Sequence, residues 1–227
     1  IATNGQFTQA DITAGSIRFV HDGGEDHAAS FGYTVSDGTP NHYAAAFGLD
    51  ITPTNDRPTG SGGSVQVMEK SPGNDGMVRL DSSALGMADI DLSLDGKGGE
   101  GAQDFLWFNI VAQAADGGST VRGELQRWDG AAWVTITPGQ WLPSTLLTTT
   151  ADGTTSGLRY VHDGSEPLTY IGGPNVTFQY QVRDDLANPA DPFATNASAV
   201  ADTSGSAQSN LSANATTTIQ IIPVNNA

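Results

Sequence analysis

Arg18-Phe-Val-His-Asp-Gly23 returns as Arg159-Tyr-Val-His-Asp-Gly164, the first of three blocks that recur in the same order. Ile17 to Gly23 matches Leu158 to Gly164 at an offset of 158 − 17 = 141, and each copy continues to an acid, Glu25 or Glu166. Phe31-Gly-Tyr-Thr-Val-Ser-Asp37 matches Phe178-Gln-Tyr-Gln-Val-Arg-Asp184 at 178 − 31 = 147. Leu49 to Asp56 matches Ile219 to Asn226 at 219 − 49 = 170. A tandem repeat constrains the fold strongly, because each copy must build the same structural unit. The growing offset puts insertions in the second copy, a small one before Phe178 and a larger one at about 186–215. Residues 1–58 then read as the C-terminal half of one unit and residues 59–227 as a complete one, with Asn55 to Gly63 as the linker. The chain reads as a piece of something longer.

The unit is built from strands. SIRFVH, SFGYTVS, SVQVME, FLWFNIVAQ, VRGELQRW, AAWVTIT, GLRYVH, VTFQYQV and TTTIQIIPV alternate or carry β-branched runs between Gly, Asp, Asn and Pro punctuation. No segment has the period of an amphipathic helix. Asp129-Gly130 within RWDGAAW supplies a tight hairpin turn. The expected fold class is therefore all-β, tandem Greek-key sandwiches of immunoglobulin-like type with the first one incomplete. The Ala-, Ser- and Asn-rich stretch at 186–215 reads as a mobile surface loop.

Charge and composition then exclude whole classes of function. Nine Lys plus Arg against 25 Asp plus Glu leave a net charge of −16, a field that repels nucleic acid and anionic membranes and attracts cations. With no cysteine there are no disulfides, thiolate zinc sites or thiol nucleophiles, a composition that suits an exported bacterial protein. No apolar run is long enough to span a bilayer, and the first residues carry no signal-peptide pattern. Four histidines and the absence of a GxSxG motif leave the common nucleophile systems without candidates. Gly96 to Gly101 lacks the strand-loop-helix setting of a phosphate loop and reads as a hairpin tip. The expected protein is not an enzyme.

FTQADITAG followed by RFVHDG, then SFGYTVSDG and ITPTNDRP, resembles the chondroitin-sulfate-proteoglycan-type (CSPG) repeat, a cadherin-like sandwich found in tandem in large bacterial surface proteins. The second copy keeps VHDGSE, FQYQVRD and IIPVNN but has the looser LLTTTADGTTSG in place of FTQADITAG. The resemblance implies calcium held where successive units meet. Carried over residue by residue, the first junction would use Asp22, Glu25, Asn55, Asp56, Asp89, Asp91 and Asp184. A distal, incomplete site would use Glu69, Asp163, Glu166 and Asn225, with Asn226 standing where the pattern has an Asp. Calcium takes six to eight oxygens, and an extended Asp-x-Asp such as Asp89-Ile-Asp91 points both carboxylates to one face.

Plainer roles stand beside these. Asp22 and Asp163 can be turn residues, Asp56 can cap a turn or pair with Arg57, and Asp89 and Asp91 can be solvated acids at a strand edge. His21 and His162 read as packed or hydrogen-bonded corner residues. Trp107, Trp128, Trp133 and Trp141 read as core or sandwich-edge residues, with a sugar-stacking platform as the alternative. The expected function is a calcium-binding extracellular repeat that stiffens a large surface adhesin, its partners being neighbouring repeats of the same chain. The alternative is a carbohydrate- or peptide-recognition module using the 186–215 insertion or the tryptophans; self-association through uncovered apolar faces is a further possible contact.

Overall fold

The computed structural model describes residues 5–24, 28–52, 56–90, 105–115, 122–148, 157–165, 175–184, 193, 195 and 210–224. It divides into two compact units, Ile1–Ile51 and Thr52–Ala227. Both are β-rich, and the described helices are single turns.

Unit 1 opens with α1 (Gln9–Thr13), a short helix started by a capping box in which Thr8 and Asp11 exchange side-chain and backbone hydrogen bonds. Two antiparallel strands follow, β1 (Ala28–Ser36) and β2 (His42–Asp50), with Phe31 opposite Phe47 and Ala29 opposite Leu49. Strand alternation puts Phe31, Tyr33, Val35, Tyr43 and Phe47 on one face of this ribbon, and all five are exposed. Ser16–His21, expected as a strand, is not one. Its copy in unit 2 is paired on both sides, whereas no strand lies beside it among the described residues of unit 1, and a strand exists only through its partners.

Unit 2 contains β3 (Thr59–Gly60), β4 (Ser64–Met68), β5 (Met77–Arg79), α2 (Ser82–Leu85), β6 (Met87–Ala88), β7 (Trp107–Ala115), β8 (Gly123–Trp128), β9 (Trp133–Thr135), β10 (Trp141–Pro143), β11 (Leu158–His162), β12 (Asn175–Arg183) and β13 (Ala215–Ile222). They form a five-stranded sheet in the order β10-β7-β12-β13-β4, a four-stranded sheet in the order β5-β11-β8-β9, and the small pair β3-β6. Phe108, Ile110, Phe178, Tyr180, Ile219 and Val67 from the first sheet pack with Leu125, Leu158 and Tyr160 from the second in one core. This is a β-sandwich, with inward residues alternating against outward ones. The β8-β9 hairpin turns as its sequence dictates: Gly130 takes φ +99° and the Asp129 carboxylate accepts the N–H groups of Ala131 and Ala132 at 2.9 and 2.7 Å.

The two units share a register. Applying the offsets 147 and 170 to the Ala29–Leu49 and Phe31–Phe47 pairs of β1-β2 gives Val176–Ile219 and Phe178–Thr217, and both pairs occur in β12-β13. The repeat in sequence is thus a repeat of one hairpin. In unit 2 the connection between its strands is the 186–215 insertion, most of which lies outside the described residues. Its far end is tightly held: Leu211 is buried, the Ser212 N–H donates to the Val182 carbonyl at 2.8 Å, and the Val182 N–H donates to Ser212 Oγ at 2.8 Å. The mobile surface-loop description therefore does not hold at Leu211 and Ser212, while Ala213 and Asn214 are exposed. The Gly96–Gly101 tip lies outside the described residues.

Asp81 starts α2 by accepting from the Ser83 hydroxyl and the N–H groups of Ser83 and Ala84. The Ser83 hydroxyl, against desolvation, holds its carboxyl below the ordinary 3.8. Asp81→Ala should cost about 1 kcal/mol in denaturant unfolding. Because the folded pKa is depressed, this contribution is complete above the unfolded value and is lost as pH falls through the folded one. The gap between wild type and variant should therefore be constant from neutral pH down to about 5 and shrink below about 4.

Candidate functional site

The His-Asp-Gly turn that ends the repeated phrase folds in the same way twice. Gly23 and Gly164 take φ +90° and +89°, a conformation open to glycine at little cost. The N–H of each donates to the ring of the preceding histidine, to His21 Nδ1 at 3.3 Å and to His162 Nδ1 at 3.1 Å. Asp22 Oδ1 accepts the Gly24 N–H at 3.0 Å and Asp163 Oδ1 accepts the Ser165 N–H at 2.8 Å. Both aspartates are turn residues, as the plainer reading has it, and both are exposed. A turn role occupies one carboxylate oxygen and leaves the other.

Around the second phrase a polar cluster is buried. Glu69 and His162 are each 0% exposed. His162 Nδ1 accepts a second N–H, from Lys70 at 3.3 Å, so in the neutral ring the proton sits on Nε2. Burial pushes this imidazole below its ordinary value, with Asp163 and then Glu69 pulling the other way. Glu69 follows β4 alongside the end of β13: its N–H donates to the Ile222 carbonyl at 2.9 Å and its Oε2 accepts the Val224 N–H at 3.0 Å. Glu69 Oε1 and His162 Nε2 are buried without a hydrogen-bond partner among the described residues. Against the desolvation that would raise it, the Ser165 hydroxyl and N–H, with His162 and Arg122, hold Asp163 below its ordinary value. Glu166, Asn225 and Asn226, expected at this end, lie outside the described residues.

At the other end of unit 2, backbone pairings involve the neighbours of three first-junction residues, Asp56, Asp89 and Asp184. Thr59 pairs with Ala88, which sets the segment after Asp56 beside Asp89. The Arg57 Nε donates to the Leu211 carbonyl at 2.7 Å, and Leu211 bridges Arg183, the neighbour of Asp184. Asp184 is buried, while Asp56 and Asp89 are half-buried. Glu25, Asn55 and Asp91 lie outside the described residues, and Asp22 belongs to unit 1. No group of three His, Asp or Glu side chains converges as a metal cluster among the described residues.

The glycines read as linker have a second role that sequence reasoning missed. The Gly62 N–H donates to the Tyr180 hydroxyl at 2.9 Å and to the Leu85 carbonyl at 3.1 Å, and a Cβ on Gly60 would lie 2.9 Å from the Tyr180 ring. Of the tryptophans, Trp107 and Trp141 are buried with Leu211, while Trp128 and Trp133 are half-buried and meet edge to face at 5.7 Å. No helix among the described residues is long and apolar enough to cross a membrane.

A family model described as cadherin-like matches residues 2–51. No curated protein matches the chain. No solved structure matches it either.

Proposed function

We propose that the chain is a calcium-binding extracellular repeat that stiffens a large surface or adhesion protein, and that residues 1–58 and 59–227 are successive cadherin-like units of it. The observation that carries this reading is Glu69, a fully buried carboxylate with one oxygen on the Val224 N–H and the other without a donor among the described residues. Burying such an oxygen costs free energy that a cation would return. The cadherin-like match over residues 2–51 and the shared hairpin register support the tandem arrangement. The net charge of −16 supports a cation as partner.

The residues fit the ion in kind. Glu69 and Asp163, both facing His162, with Glu166 and Asn225, would hold calcium at the distal end of unit 2. Asp22, Glu25, Asn55, Asp56, Asp89, Asp91 and Asp184 would hold it at the junction. Oxygen donors with no sulfur and little nitrogen suit a hard cation. Bound calcium supplies the positive charge that lets clustered carboxylates approach. Its charge would offset the repulsion among these carboxylates and so stiffen the link between successive repeats.

Thermal melting tests the reading on wild type and on the Asp89→Ala, Asp91→Ala double variant, each in calcium and in chelator. Wild type should gain stability with calcium, about 2.7 kcal/mol for each site at a free concentration a hundredfold above Kd, and the double variant, which keeps the Glu69 end, should gain less. Equal melting in all four conditions contradicts it.

A further inference from the structure

The outward face of the four-stranded sheet carries two arginines against one tryptophan ring. Arg159 pairs with Gln126 on one side and with Arg79 on the other, Gln126 pairs with Thr135, and Trp128 pairs with Trp133. Leu80, Leu125, Leu158 and Tyr160, the alternating neighbours, are buried, so Arg79, Arg159, Gln126, Trp128 and Trp133 share the outward face. The Arg159 guanidinium lies 4.1 Å from the Trp133 ring centre and that of Arg79 lies 4.9 Å from it. Arg159 Nε donates to Gln126 Oε1 at 2.8 Å. The Gln126 amide nitrogen donates to Glu124 Oε1, and Glu124 Oε2 accepts the Thr135 hydroxyl at 2.7 Å.

This relay fixes the plane of Arg159 from one edge. Its two terminal amino groups, Nη1 and Nη2, donate to no protein acceptor among the described residues. Two guanidinium groups directly opposed across a ladder repel each other. Asp75 and Glu124 offset part of that charge, but both oxygens of Glu124 already accept from Gln126 and Thr135. An immobilised planar fork stacked on an indole is the geometry that takes a carboxylate two bonds at a time.

We infer that this face binds an anionic saccharide, a sugar carrying a single carboxylate, with Nη1 and Nη2 of Arg159 as the fork for that carboxylate. The choice of a sugar follows from charge. A field of −16 repels an extended polyanion, whereas one carboxylate on an otherwise neutral ring meets the fork with little of that repulsion. Thr135, Gln126 and the half-buried Trp128 indole add the mix of hydroxyl, amide and aromatic surface that a pyranose ring uses. The inference does not depend on calcium.

The test is a titration of methyl galacturonoside, a pyranose with one carboxylate, into the 227-residue chain in chelator, read by tryptophan fluorescence and calorimetry. Saturable binding is expected. The methyl ester of this glycoside, which has the same ring but no charge, should bind at least about tenfold more weakly. Arg159→Lys keeps the charge and removes the fork, and should lose at least about tenfold in affinity with an unchanged melting midpoint. Equal affinity for acid and ester on wild type overturns the inference without any variant. So does wild-type affinity in Arg159→Lys, equally tight binding of acetate, or no binding of methyl galacturonoside at all.

Discussion

Phe178→Ala should lower the unfolding free energy of unit 2 by about 3–5 kcal/mol, whereas Phe31→Ala should change the stability of the chain by less than about 1 kcal/mol. The two phenylalanines occupy the same place in the repeated hairpin, opposite Thr217 and Phe47. Phe178 is 0% exposed within the sandwich core and Phe31 is 44% exposed on an open ribbon. Removing a buried ring forfeits its transfer free energy and leaves a cavity, while removing a ring already in water forfeits little. Urea unfolding of the two variants measures the contrast. A cost at Phe31 equal to that at Phe178 would mean that the Phe31 face is covered in solution.

Gly62→Ala should cost at least about 3 kcal/mol. Gly62 has φ +65°, and a Cβ there would lie 1.9 Å from the Thr216 carbonyl oxygen, a backbone atom that cannot turn aside. The loop would have to move and give up the hydrogen bonds from its N–H to Tyr180 and Leu85. Gly139→Ala separates conformation from clash. Gly139 has φ +87° with nothing within 4 Å of a built Cβ, so it should cost only about 1–2 kcal/mol. Similar losses at the two positions in denaturant melts would contradict the close packing of Gly62.

The hairpin register was readable from sequence because offsets between matched blocks carry straight into strand pairing, as the Ala29–Leu49 and Val176–Ile219 pairs show. The Asp129-Gly130 turn was equally readable, being decided within four residues. The capping box at Thr8 and Asp11 was present in FTQAD but hidden by the β character of everything around it. Ser16–His21 was misread because it has the composition of β11 without neighbours such as β5 and β8. Three-residue strands such as β5 and β10 are too short for alternation to register and exist through their longer partners. Glu69 came from the family resemblance, but its complete burial, and the Lys70 bond that fixes His162, come only from tertiary packing. The Arg159 fork escaped notice because its parts lie on β5, β11, β8 and β9 and meet only across the sheet.

Glu69→Gln tests the central claim, that this chain buries a carboxylate in order to hold a cation. The amide keeps the shape and removes the charge. In chelator the variant should melt at or above wild type, because a buried carboxylate oxygen that has no donor among the described residues is replaced by a group that is cheaper to bury. In calcium the order should invert, with wild type rising and Glu69→Gln gaining less than wild type does. A variant that melts below wild type by the same margin in both conditions, together with a wild type that does not respond to calcium, would contradict the account.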